Sequence, residues 1–309
     1  MFTPFKWDPN EKMTYDSENA SQVIIQNTQN FALSRSASFD MNAPGEILML
    51  RANDDGGMYW QGPVNVRAGT LRLELPQGGE DVEVYGAISI GGGEKKNRLE
   101  ITFKGKRFDE IYINTDVKIG LNGEFYLYST GILWLLCNFF LEKNAVVKII
   151  TTKDIPGYGF FVSDNSILEI VGDSNVHCRW PINASKNARV NIFADYLDTS
   201  SGSSTIDIDF GCAEVFVGGV VPGRIALYGS QNSPVSGYGF NFITVNGDNY
   251  GLLIVYASCL GVDLDDVSKA HLLTDVGCLM IDGNVQKNMD FFNVDCRSRP
   301  GLMIISLKK

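Results

Sequence analysis

Histidine is nearly absent from this sequence, with two in 309 residues. The six cysteines, Cys137, Cys178, Cys212, Cys259, Cys278 and Cys296, stand singly, with no Cys-x-x-Cys spacing. A cysteine nucleophile normally needs a histidine base, and cysteine metal sites space their ligands closely. Both classes are therefore disfavoured, and the thiols are expected to be free and mostly buried. Positive charge is also short. Lys and Arg number 26 against 36 Asp and Glu, a formal net charge of −10. Such a chain repels phosphate, and without a dense basic cluster no nucleic acid is expected as a partner. Long apolar runs are missing too. The longest, residues 131–137 and 251–262, are far shorter than the ~20 residues of a bilayer span, so no membrane insertion is expected. Residues 1–13 carry neither the cationic nor the apolar stretch of a signal peptide. The expectation is synthesis in the cytoplasm without a signal peptide.

Phosphate-binding and hydrolase fingerprints are also lacking. Gly91-Gly92-Gly93-Glu94-Lys95-Lys96 is glycine-rich but has no P-loop spacing, and reads as a surface turn. There is no Gly-x-Ser-x-Gly, His-Glu-x-x-His or Rossmann pattern. Asp263, Asp265 and Asp266 lack the glycine and distal glutamate of an EF-hand, and helix N-capping accounts for them. No cofactor and no metal are expected.

What the chain has in quantity is short alternation. Hydrophobic residues make up 44% and charged residues 20%, enough apolar side chain for a packed core. Leu71, Leu73 and Leu75 alternate with Arg72 and Glu74. Leu99, Ile101 and Phe103 alternate with Glu100 and Thr102, and Phe125 and Leu127 with Tyr126 and Tyr128. Each run reads as a strand with one buried and one exposed side. The runs also repeat. Asn144-Ala-Val-Val-Lys-Ile-Ile, Asn165-Ser-Ile-Leu-Glu-Ile-Val and Asn187-Ala-Arg-Val-Asn-Ile-Phe align without gaps, and Asn122-Gly-Glu-Phe-Tyr-Leu-Tyr fits the same frame. Gly157-Tyr-Gly-Phe recurs as Gly237-Tyr-Gly-Phe, which at the repeat's spacing is about four periods on.

A unit of ~20–25 residues cannot bury an apolar side alone, but stacked copies can, because inward side chains fall into columns. Val147/Ile149, Leu168/Ile170 and Val190/Ile192 would form such columns. The outward row would then read Tyr126, Lys148, Glu169, Asn191, Asp207. At these residues the chain resembles the right-handed parallel β-helix proteins, the group of phage tailspikes, adhesins and pectate-lyase-like enzymes, over roughly residues 65–255. The likeness is one of fold and includes no pectate-lyase catalytic pattern. The fold expected is all-β, a parallel β-helix (solenoid), with a β-sandwich or jelly roll as the alternative. The expected organisation is a polar N-terminal arm or adaptor at 1–43 and the solenoid at 44–250. A C-terminal cap or oligomerisation region follows at 251–309, containing a short helix over 263–274 with Val267, Ala270 and Leu273 on one side.

Asp207 and Asp209 share one side of Thr-Ile-Asp-Ile-Asp-Phe, close enough for glycoside-hydrolase chemistry; a solvated strand surface, which commonly carries aspartate, is the favoured explanation. Tyr112, Tyr126 and Tyr128 point outward by alternation, and Trp134 joins them if Ile132-Leu133-Trp134 is a strand of the same coil; these four are the candidate ligand-binding residues, since aromatic rings on a rigid sheet suit sugar rings. Burial of those rings against another chain is the competing reading. The function expected is a non-enzymatic structural or receptor-binding component of a virion, a tail fibre, tailspike or adhesin-like protein contacting surface glycans or a host receptor. The resemblance implies a homotrimer, with the N-terminal arm docking other virion proteins. A polysaccharide depolymerase on the same scaffold, glycoside hydrolase or lyase, and an intracellular protein-binding scaffold are the alternatives.

Overall fold

In the computed structural model the chain divides into two compact units, residues 1–155 and 156–309. The structure describes residues 5–16, 23–27, 31–52, 56–75, 81–93, 96–104, 109–152, 155–157, 159–178, 182–184, 188–198, 205–208, 214–218, 239–242, 252–256, 266–275, 279–282, 284–298 and 302–308. It is nearly all strand, wound as a parallel β-solenoid.

The first unit repeats a three-strand rung. The strands are β1 (Lys12–Asp16), β2 (Val23–Asn27) and β3 (Phe31–Leu33), then β4 (Ser38–Ala52) and β5 (Met58–Trp60), then β6 (Val64–Leu75) and β7 (Val82–Val84). β8 (Ile88–Ile90), β9 (Asn97–Phe103) and β10 (Glu110–Ile113) follow, then β11 (Val117–Ile119), β12 (Gly123–Ser129) and β13 (Ile132–Leu135), then β14 (Phe139–Leu141) and β15 (Val146–Thr151). β16 (Ile155–Gly157) lies at the boundary. β4 and β6 are long because each runs across a corner and serves two faces. Every pairing within this unit is parallel and joins a strand to its counterpart one rung away. The first face stacks β1, β4, β6, β8, β11 and β14. The second stacks β2, β4, β6, β9, β12 and β15. The third stacks β3, β5, β7, β10 and β13.

Alternation explains why these residues stack. In the second face Leu48, Leu71, Leu99, Phe125 and Val147 occupy one register position, and Leu50, Leu73, Ile101, Leu127 and Ile149 another; all ten are buried. A register slip of one residue would turn every one of them to solvent. The repeated asparagines mark the corners. Asn122 and Asn144, just before β12 and β15, have φ of 54° and 65°. Asparagine tolerates that left-handed backbone better than any other non-glycine residue. The opposite corner uses glycine. A Cβ on Gly86 would overlap the carbonyl oxygen of Gly62, one rung away, and a Cβ on Gly62 would overlap those of Ser34 and Ala37.

The expected arm at 1–43 is instead part of the stack among its described residues. Tyr15, Phe31, Leu33, Phe39 and Met41 are buried in strands β1, β3 and β4. The segment before β1 packs into the same core. The Trp7 ring lies 6.2 Å from that of Trp60, nearly parallel, and 5.4 Å from that of Phe39, and its Nε1–H donates to the Ala32 carbonyl at 2.9 Å. Phe5 meets Tyr15 edge-on at 5.4 Å.

The second unit continues the same construction with β17 (Phe160–Val162), β18 (Ile167–Cys178), β19 (Ile182–Ala184), β20 (Arg189–Asp198), β21 (Thr205–Ile208), β22 (Glu214–Gly218), β23 (Gly239–Phe242) and β24 (Leu252–Tyr256). α1 (Asp266–Asp275) follows, then β25 (Leu279–Ile281), β26 (Asn284–Val285), β27 (Phe292–Asp295) and β28 (Leu302–Leu307). Parallel pairing runs β17–β19–β21–β23–β25 and β18–β20–β22–β24. Leu168 and Ile170 face Val190 and Ile192 in register, and Asn165 has φ of 62°. At the end the pattern reverses. β28 pairs antiparallel with β24 and β27, and β26 antiparallel with β25. An antiparallel hairpin breaks the parallel register, which stops the stack from adding a further rung. α1 buries Ala270 and Leu273, and residues 263–265 of the expected helix lie outside the described residues. The expected cap at 251–309 therefore begins later than proposed, because β24 and β25 still belong to the parallel columns.

Two substitutions test this packing by urea denaturation. Gly86→Ala should cost about 1–3 kcal/mol of unfolding free energy, the usual penalty of overpacking. Trp7→Ala should cost about 3–5 kcal/mol as a buried ring is lost, whereas a polar arm would give no change.

Candidate functional site

The outward residues of the first unit sort by face, and the third face differs from the others. Tyr59 of β5 is 39% exposed, and Tyr85, just after β7, is 40% exposed. Tyr112 of β10 and Trp134 of β13 occupy the same register position on successive rungs, both half-buried. The rings of Tyr59 and Tyr85 are 5.8 Å apart at 65°, and those of Tyr85 and Tyr112 are 5.8 Å apart at 49°. Tyr59 and Tyr112 both register with Glu83, so Tyr85 meets their rings from two residues further along the chain. One aromatic side chain per rung thus forms a row along the face.

Polar groups hold the phenols. Gln61 Nε2 donates to the Tyr59 hydroxyl at 2.6 Å, and Asn114 Nδ2 to the Tyr112 hydroxyl at 3.4 Å. The Tyr85 hydroxyl donates to Glu83 Oε2 at 3.0 Å. Desolvation, then that bond and the charge of Glu83, push the Tyr85 phenol up to about 12, so it stays protonated. Asp81, Glu83 and Glu110 give the face negative charge, and the described residues 57–61, 81–86, 109–115 and 131–136 include no lysine or arginine.

Sequence reasoning placed Tyr112, Tyr126, Tyr128 and Trp134 together. The fold separates them into two pairs. Tyr126 and Tyr128 lie on the second face, in β12. The Arg98 guanidinium sits 4.4 Å from the Tyr126 ring centroid and covers it, a cation–π contact that takes up that ring. Tyr59 and Tyr85, absent from the sequence-based set, complete the third-face row.

The second face carries charge beside its rings, of which Tyr128 is 37% exposed. Arg51 bonds Glu74 at 2.6 Å, and Arg98 bonds Glu124 through Nε at 2.6 Å and Glu100 at 2.8 Å; Arg72 also bonds Glu100. Arg51–Glu74, Arg72–Glu100 and Arg98–Glu124 bridge rungs in register, and Arg98–Glu100 links two positions of β9. Burial pushes the Glu100 carboxyl up, but hydrogen bonds from Arg72 and Arg98 outweigh it and hold the group below its ordinary value.

Of the carboxylate pair proposed for catalysis, Asp207 alone falls within the described residues. Asp207 lies in β21, where its register partners are Asn183 and Asn241. Asn191 pairs with Phe216, so Asp207 does not continue the row Glu169–Asn191 as expected; it belongs to a different face. Asp209 lies outside the described residues. Among the described residues no group of three His, Cys, Asp or Glu side chains is arranged to hold a metal ion, and no helix is long and apolar enough to cross a membrane. Burial pushes the Cys137 thiol up to about 12, which removes it as a nucleophile at neutral pH.

No protein-family model, no curated protein and no solved structure matches the chain.

The charge ladder gives a pH prediction. A carboxyl held below its unfolded value of about 4.3 contributes stability that is full above that value and is lost as pH falls through its folded value. Glu100→Gln should cost about 1–2 kcal/mol at pH 7. It should also flatten the loss of stability on acidification below pH ~5, read as urea midpoints across pH.

Proposed function

We propose that this protein is a non-catalytic glycan-binding β-solenoid, of the receptor-binding kind found in virion fibres and tailspikes. The observation that carries the reading is the row Tyr59, Tyr85, Tyr112 and Trp134, flanked by Gln61, Glu83 and Asn114. Sugars present C–H faces and hydroxyls together, which is the chemistry that aromatic rings beside amides and a carboxylate accept. The negative charge of the face selects against acidic sugars. A stiff scaffold contributes by holding the row before the ligand arrives, which lowers the ordering cost of binding. Self-association as a homotrimer goes with this reading and is read directly by native mass measurement.

A panel of neutral and acidic oligosaccharides tests the reading. The wild type should bind neutral members preferentially, and Tyr85→Ala and Tyr112→Ala should each weaken binding about tenfold or more, as loss of an aromatic anchor does. Binding of neutral members that survives both changes together, or no binding to any neutral member, overturns the assignment. Release of reducing ends would instead place the protein among depolymerases.

A further inference from the structure

A recess of about 640 Å³ lies where the first unit's chain passes from its first face to its second. Corner length explains it. In β6 the chain turns directly through Arg67, Ala68 and Gly69. One rung earlier, five residues separate Met41 from Ile47 where three separate their partners Val66 and Thr70. One rung later, six residues separate Ile90, the partner of Val66, from Asn97, the partner of Gly69. A short corner between two longer ones leaves a hollow lined in part by Arg67. Its size is within the ~300–1,000 Å³ of small-molecule sites.

The lining is chemically specific. Asp40 Oδ1 accepts a hydrogen bond from Asn65 Nδ2 at 2.9 Å and meets the Arg67 guanidinium at 3.4 Å. This one ion pair orients Arg67 while leaving its side chain 66% exposed, with the rest of its N–H fork available. Asn42 and Ser89 add neutral hydrogen-bonding groups beside it. The glycine-rich segment forms one wall. Gly92 has φ of 105°, and a Cβ there would meet nothing within 4 Å, so bare backbone faces open space, as close approach to a ligand requires. A guanidinium fork matches a planar carboxylate. Asp40 offsets the charge of Arg67, which disfavours a doubly charged ligand more than a singly charged carboxylate.

We propose that this recess binds a carboxylate-bearing monosaccharide, a uronic acid, with the carboxylate on Arg67 and hydroxyls on Asn42, Ser89 and the Gly92–Gly93 backbone. The site is on a different face from the tyrosine row and does not depend on it. The test is a titration of the isotope-labelled full chain with D-glucuronate, followed at backbone amides. Saturable shifts at Gly92 and Gly93 are expected, at least tenfold weaker in Arg67→Gln and absent in Ser89→Asp, with none from glucose or inorganic phosphate. Both variants change solvent-accessible side chains, and the remaining spectrum reports that each is folded. No saturation with glucuronate, equal affinity in Arg67→Gln, or equal binding of glucose or phosphate would overturn the proposal.

Discussion

The structure depends on one constraint: every rung must hydrogen-bond to the next in parallel and in register. The backbone ladder spaces the strands, and that spacing decides everything outside the core. It brings Arg72 to Glu100 across 28 residues of chain and Tyr59 to Tyr85 at ring contact distance. Inside, it aligns leucines, isoleucines, valines and phenylalanines in columns that no single rung could bury. Hydrophobic burial and register are therefore one requirement, because a slip that breaks the ladder also exposes the columns.

That requirement divides labour among the faces. The second face spends its outward positions on ion pairs between rungs, which suits a surface whose role is to hold the stack. Half-buried arginines and glutamates with several partners are less screened than isolated surface pairs. The third face spends the same positions on aromatic rings and amides, which contribute little to the ladder and remain available. The first-to-second corner, where rung length varies, is where a hollow can form without disturbing the strands. Variation in corner length is tolerated because loops lie outside the register.

Much of the fold was legible because the repeat has a local physical cause. Asn122, Asn144 and Asn165 recur since each enters a corner with left-handed backbone, and the alternating residues after them mark inside and outside. The same code says nothing about which of three faces a strand joins, and so Tyr112 and Tyr126 looked like neighbours. Tyr85 escaped notice because it follows the alternating run Val82-Glu83-Val84 rather than lying within it, yet its parity with Glu83 was enough to point it outward. The first rungs were misread as an arm because Trp7, Tyr15, Phe31 and Phe39 are too far apart to show a period, although all four are core. The phenylalanines of the two Gly-Tyr-Gly-Phe pieces do fall in one column. Phe160 and Phe240 are joined through Ile182 and Ile206, three rungs apart rather than four, because the rung from 206 to 240 is long.

Register itself is open to direct measurement. Asn65 and Ser89 are outward partners on adjacent rungs, and Ser89 in turn faces Lys118. Parallel strands ~4.8 Å apart bring paired Cα atoms within disulfide range, and two rungs exceed it. Cysteines placed at 65 and 89 should therefore cross-link on mild oxidation, mapped by mass spectrometry, while cysteines at 65 and 118 should not. Cross-linking of the second pair but not the first would contradict the stacked-rung account.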